Sequence, residues 1–191
     1  MAPPTTLPHS SAQTEIFTRA VDLLRSTRPR PEISLSEINA PTKLAPEAFA
    51  LSGEVLRDGE EVATGHLVLL HDPAGHPAWG GMMRLVTYIT AEIESELAAD
   101  PLLAQVGWSW LVDALDAYET GYSAIGGTVT QTLSTRFGDL SGPPTAADLE
   151  IRASWTPLGE NFDDHLMAWC ALLASTAGLP PPGVTALPVN K

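Results

Sequence analysis

The chain has 191 residues, 44% of them hydrophobic, which is enough for one sizeable core and too few for two comfortable domains. Its formal net charge of −13 at pH 7, from 23 acidic and 10 basic side chains, repels phosphate backbones and anionic lipid. That balance argues against nucleic acid and membranes as partners, and a single cysteine, Cys170, excludes an intrachain disulfide and fits a reducing cytoplasm.

Residues 1–12, with Pro3, Pro4 and Pro8, read as a disordered tail. They lack the basic leader and apolar run of an export signal, and no stretch of the chain approaches the ~18 apolar residues of a membrane span. Structure is expected over residues 13–178, opening with a helix over 14–28 in which Ile16, Phe17, Ala20, Val21 and Leu24 share a face before Pro29. Prolines dominate the extended connection over 29–46, where Ile33, Leu35 and Ile38 can form a short edge strand. Asp58-Gly59 separates two β-like runs, 49–57 and 60–70, and marks a tight hairpin because it readily supplies two positive φ angles. Residues 71–77 then read as a loop, and 82–93, rich in Val, Ile, Tyr and Thr, as the third strand of a meander.

Asp100 as N-cap and Pro101 at the first helical position predict a helix to about Glu119. A strand over 122–137, kinked at Gly126-Gly127, follows. In the next strand Leu149, Ile151, Ala153 and Trp155 alternate with Glu150, Arg152 and Ser154, giving one apolar and one polar face. A final helix starts near Asn161, turns Phe162, Leu166, Trp169, Leu172 and Leu173 inward, and stops at Gly178; residues 179–191 form a proline-rich extended tail. The order α-βββ-α-ββ-α defines an α+β fold, a twisted antiparallel sheet with helices packed on it.

Candidate sites each carry a plainer structural reading. His66, His71 with Asp72, and His76 surround one strand end, but His66 and His71 face opposite sides of a regular strand, which leaves solvated loop histidines rather than a metal site. Glu92, Glu94 and Glu96 would share a face if their strand continued, and otherwise form a solvated strand end. Asp163, Asp164 and His165 sit in a first helical turn, where the helix dipole already accounts for the carboxylates. Cys170 has no placed base and reads as a small buried hydrophobe. Gly126-Gly127-Thr128 lacks the lysine of a phosphate loop and there is no GxSxG elbow, so no catalytic residue, metal or cofactor is assigned. Arg25, Arg28 and Arg30 could touch RNA, or simply complement a helix C-terminus.

The helix after Pro101 is the most informative segment. Leu103, Val106, Trp110, Ala114 and Tyr118 form the expected core stripe, while Trp108, Val112 and Leu115 make a second apolar flank. That flank is either packed internally against another helix or forms a protein interface, with Trp108 as its aromatic anchor.

The runs His71-Asp72-Pro73-Ala74-Gly75, Val106-Gly107-Trp108-Ser109-Trp110-Leu111, Gly126-Gly127-Thr128-Val129-Thr130, Ile151-Arg152-Ala153-Ser154-Trp155-Thr156-Pro157 and Gly178-Leu179-Pro180-Pro181 resemble an actinobacterial family of domains of unknown function, number three thousand (DUF3000). The resemblance implies an actinobacterial cytoplasmic protein and brings no activity with it. The element order is also similar to that of type III secretion chaperones, small acidic proteins that dimerise through the middle helix; this similarity is of architecture only. Together these expectations describe a homodimeric, chaperone-like adaptor that binds another protein. The rivals are an enzyme or small-molecule binder built around His66, Tyr88 and the row Thr128, Thr130, Thr132, and an RNA-associated protein using Arg25 to Arg30.

Overall fold

The computed structural model describes residues 9–139, 142, 145–182 and 184, with side chains from Thr14 onward. Helix α1 (His9–Ser26) leads into strand β1 (Ile33–Ile38), followed by β2 (Glu47–Arg57), β3 (Glu60–His76) and β4 (Gly81–Ile93). A short helix α2 (Ser95–Ala98) precedes α3 (Leu103–Ala117), the long strands β5 (Gly121–Thr135) and β6 (Thr145–Leu158), and α4 (Phe162–Thr176). The strands form one six-stranded antiparallel sheet in the order β1-β2-β3-β4-β6-β5. The chain therefore has the α+β architecture that its pattern predicted. It has no helix long and apolar enough to cross a membrane among the described residues.

Local chemistry explains most of the joints. Asp58 (φ 56°) and Gly59 (φ 84°) supply the consecutive left-handed residues that close the β2–β3 hairpin with matching twist. The proline-flanked segment at 33–38 does form an edge strand, pinned to α1 by the two-pronged Arg25–Glu37 ion pair (2.9 and 3.0 Å). Gly178 (φ 67°) ends the last helical stretch, and the Leu179 N–H donates to the Ala174 carbonyl at 2.9 Å, one of the backbone bonds that close such an end.

The sequence expectations need four corrections. Helix α1 begins at His9 rather than at residue 14; residues 1–8 lie outside the described part. The predicted loop at 71–77 is largely strand: β3 runs to His76, with a register shift between the His71–Met83 and His76–Gly81 pairs that absorbs Pro73 and Gly75. The sequence pattern does not mark helix α2, and α3 starts at Leu103 rather than at Pro101: Asp100 Oδ1 accepts the Leu102 N–H at 2.8 Å in a turn ahead of the helix, whose N-cap is Leu102 without a side-chain bond. Finally, the buried face of α3 is Leu103, Gly107, Leu111, Ala114 and Leu115, while Val106 is 42% exposed and Trp110 and Tyr118 are half-buried. The stripe is rotated toward Gly107, which faces the sheet although a count of apolar side chains leaves it out. A Cβ there would stand 3.4 Å from Val129 and within 4 Å of Ile151 and Leu149.

Helices α1, α3 and α4 all lie on one face of the sheet. On that face Val55, Ala63, Leu67, Leu69, Leu85, Ile89, Ala91, Leu149, Ile151 and Trp155 are buried at 5% exposure or less. The Trp169 ring of α4 packs against the paired Gly53 and Gly65; a Cβ on either glycine would come within 3.0 Å of Trp169 or its neighbours Ile89 and Leu173. The indole N–H donates to Thr87 Oγ1 (2.7 Å), which donates in turn to the His66 carbonyl (3.0 Å). Helix and sheet are thus locked together by one buried polar chain.

Candidate functional site

The other sheet face carries no helix. Cross-strand pairing places His66 opposite Tyr88, Tyr88 opposite Arg152 and Arg152 opposite Thr128. One row along, Val68 faces Val86, Val86 faces Ser154 and Ser154 faces Gly126. These residues line an open groove of about 580 Å³. Its floor is small and apolar, made by Val68, Val86, Gly126 and Gly127, and its rim carries hydroxyls, an imidazole and a guanidinium.

The rim is electrostatically committed. The Tyr88 hydroxyl donates to Glu150 Oε2 (2.9 Å), and Arg152 Nε donates to Glu150 Oε1 (2.7 Å) while its guanidinium sits over the Tyr88 ring at 5.1 Å. The carboxylate of Glu150 therefore raises the Tyr88 pKa above its ordinary value, and the Arg152 guanidinium, followed by the Tyr88 hydroxyl, lowers that of Glu150. A phenol tied to a carboxylate in this way is a fixed donor, suited to holding a ligand and poorly placed to accept a proton.

Just beyond the groove lies a residue that spacing alone did not single out. Arg84 of β4 is half-buried, its Nη1 donating to Thr156 Oγ1 (3.0 Å) and its Nη2 to Ser154 Oγ (2.8 Å) and O (3.4 Å). Among the described residues it makes no ion pair. Burial with no anion to offset it lowers its pKa below the ordinary arginine value.

The second feature is the sheet edge. β5 pairs only with β6, so its outer edge is unpaired among the described residues, and from Gly126 to Thr135 it carries no charged residue and no proline. Edge strands in stable monomers are usually blunted by such residues. The opposite edge is handled in that way: β1 is short, follows Pro31 and bears the Arg25–Glu37 pair. Along β5, Ala124 (φ 49°) marks a bulge at which the register with β6 shifts, and Gly127 is pressed between the Arg152 carbonyl and the Trp108 ring.

The remaining candidates fall as follows. Trp108 and Val112 are half-buried on the flank of α3, with the Trp108 ring against Gly127 of the edge strand; Leu115 is 0% exposed, wholly within the core of one chain. His71 is not a solvated loop histidine: it is 0% exposed, bonded through Nδ1 to Glu47 Oε2 (2.6 Å) and stacked on Phe17 of α1. His76 is half-buried and stacks on Trp79, while His66 alone of the three is exposed, on the helix-free face. The row of Glu92, Glu94 and Glu96 is broken, since β4 ends at Ile93 and α2 begins at Ser95. Among the described residues no group of three or more His, Cys, Asp or Glu side chains is placed to hold a metal ion.

His165 is buried and accepts the Trp155 indole N–H on Nδ1 (3.2 Å); burial pushes its pKa down to about 4 against the opposing pull of Asp164, the Gly121 backbone and Asp163. Cys170 is 3% exposed and burial pushes its thiol up to about 12. Arg25 and Arg30 are paired with Glu37 and Glu32, and Arg28 donates to the Arg25 carbonyl at the end of α1 (2.7 Å), so this segment is a neutralised helix end.

The molecule is thus an α+β protein with α1, α3 and α4 on one side of an open antiparallel sheet, an open groove on the other, and an edge strand without charges or proline among the described residues. It belongs to the family described as "Protein of unknown function (DUF3000)", which matches residues 13–185. No curated protein and no solved structure matches the chain.

Proposed function

We propose that this protein is a non-enzymatic, chaperone-like adaptor that works in the cytoplasm as a homodimer and binds another polypeptide. The observation that supports this reading best is the uncharged, uncovered edge of β5 from Gly126 to Thr135. Such an edge offers a row of backbone donors and acceptors to an incoming strand. In a two-fold antiparallel pairing about Thr130, Thr128 would face Thr132 of the second copy on the bare side, and Val129 would face Gln131 on the helix side. Trp108 on α3, half-buried against Gly127, flanks that edge, and Leu133 further along the same strand is 54% exposed. The bare faces of the two sheets would then run together as one surface for the partner.

Native mass spectrometry on protein purified gently from its own host tests the reading. A dimer carrying a stoichiometric polypeptide supports it; a monomer carrying a small ligand overturns it. The dimer contact is tested separately by Thr130→Lys, which sets two like charges across the proposed axis. The variant is expected to sediment as a monomer with unchanged far-UV circular dichroism, and a persistent dimer moves the contact elsewhere.

One observation favours a small-molecule binder as the second reading. His66, Tyr88 and Thr128 do line a common groove on the bare face, although Thr130 and Thr132 lie further along β5 outside it.

A further inference from the structure

The ten basic residues of this chain are outnumbered by 23 acidic ones, and a part-buried guanidinium is ordinarily offset by a carboxylate, as Arg30 is by Glu32 with the Pro180 carbonyl beside it. Arg84 is the exception. It is half-buried on the helix-free face, and its three hydrogen bonds go to neutral oxygens of Ser154 and Thr156. A guanidinium has five N–H donors, so part of the fork remains for another acceptor. Ser154, to which it is anchored, is also a wall of the 580 Å³ groove. The groove's other cation, Arg152, is already neutralised by Glu150, so the local excess is a single positive charge.

We propose that the groove receives a ligand bearing one carboxylate, seated on Arg84 beside Ser154, with the apolar body of the ligand lying over Val68 and Val86. Several features favour a monoanion over a phosphate. Of the two guanidiniums at the groove, Arg152 is paired with Glu150 and only Arg84 lacks an anion among the described residues, and the chain's field at −13 penalises every further negative charge. Helices α1, α3 and α4 pack on the opposite face, so no helix N-terminus adds its partial positive charge here. A planar carboxylate also matches the arginine fork in geometry. This inference rests on the adaptor reading for its source: the carboxylate is an acidic side chain of the bound polypeptide.

The test is a titration of the full-length ¹⁵N-labelled chain with N-acetylglutamate N′-methylamide, its glutamine counterpart and inorganic phosphate, followed by NMR. The glutamate compound is expected to shift the Arg84 Nε–H signal and the Ser154, Gly126 and Thr128 amides at concentrations on the order of millimolar. The glutamine compound should bind at least about tenfold more weakly, the usual consequence of losing one charged hydrogen bond. Arg84→Gln should abolish the difference, and Arg84→Lys, which keeps the charge without the fork, should retain part of it. Equal binding of the two compounds overturns the proposal on the wild-type chain alone, whatever the variants do, and tighter binding of phosphate overturns the preference for a monoanion. A polypeptide partner retained undiminished by Arg84→Gln would remove the carboxylate site and leave the adaptor reading standing. A glutamate preference without any polypeptide partner would do the reverse.

Discussion

Two adjacent glycines of β5 offer a sharp test of how the edge strand is held. A Cβ on Gly127 would lie 2.2 Å from the Arg152 carbonyl oxygen, 2.8 Å from Ala153 Cα and 2.9 Å from Trp108 Cζ3. A Cβ on Gly126 would meet nothing within 4 Å. Two of the three obstacles at Gly127 are backbone, so no side-chain rotation relieves them. Reaching even 3.0 Å from the carbonyl requires β5 to move by at least 0.8 Å (3.0 minus 2.2 Å). That shift strains the ladder at the Gly127–Ala153 pair and unseats Trp108. Overpacking costs about 1–3 kcal/mol, and each ladder hydrogen bond lost adds roughly 0.5–1.5 kcal/mol, so Gly127→Ala should destabilise the chain by about 2–4 kcal/mol. Gly126→Ala should stay within about 0.5 kcal/mol of the wild type. Urea unfolding curves at fixed protein concentration give both values from their midpoints, provided the slopes agree. Removing the Trp108 ring in a Gly127→Ala/Trp108→Ala double variant should not rescue stability, because the carbonyl remains. If the two single alanine variants are equally stable, the close β5–β6 approach is wrong.

Three further outcomes follow from the buried and half-buried groups. Trp108→Asp should shift self-association toward monomer in mass measured across a dilution series, and an unchanged dimer would remove α3 from the contact. Cys170, with its thiol raised to about 12 and 3% exposure, should react with a thiol reagent only at the rate of unfolding; prompt labelling in the native state would contradict the packing of α4. His165 titrates near 4 in the folded chain and near 6.5 when unfolded, so the unfolded state binds the proton first. Stability should therefore fall as pH drops from about 6.5 to about 4, by roughly 3 kcal/mol, and His165→Gln should flatten that slope. The carboxylates held low by arginines, Glu32, Glu37 and Glu150, add their own loss only below about 4.5.

What could be read from the sequence was whatever local chemistry determines. Asp58-Gly59 fixes a turn wherever it stands between β-like runs, and the strict alternation from Leu149 to Trp155 leaves one face to bury. Helix α4 likewise announces itself through five inward apolar residues. The order of strands was not readable, because β6 slips between β4 and β5 through pairing across long sequence separations that no window contains. The rotation of α3 is hidden from the sequence pattern for a related reason. Gly107 counts as a gap in a hydrophobic stripe, yet it is buried and faces Val129, Ile151 and Leu149 of β5 and β6. At 71–77 the signals of Pro73 and Gly75 were real, but they describe an irregular strand extension rather than a loop. Arg84 belongs to no motif, so spacing along the chain does not mark it. Its interest lies in what does not stand next to it, and that depends on register. The missing charges of β5 were visible in the sequence, whereas its place at the edge was not.

The same charge distribution yields a prediction that separates modes of self-association. Two copies at −13 each repel one another at long range, and that repulsion opposes any dimer. If the contact is the uncharged stretch of β5 with the apolar flank of α3, it contains no ion pairs for salt to weaken. Raising ionic strength from ~0.02 M to ~0.5 M would then shorten the screening length from roughly 20 Å to roughly 4 Å and remove only the repulsion. Self-association measured by sedimentation should therefore strengthen with added salt, and more steeply at low ionic strength, where screening changes most. An interface built on charged residues, such as the Arg25–Glu37 side of β1 meeting an acidic surface, would respond in the opposite direction. A dimer that weakens as salt is added would transfer the contact away from β5 even if Trp108→Asp also disrupts it.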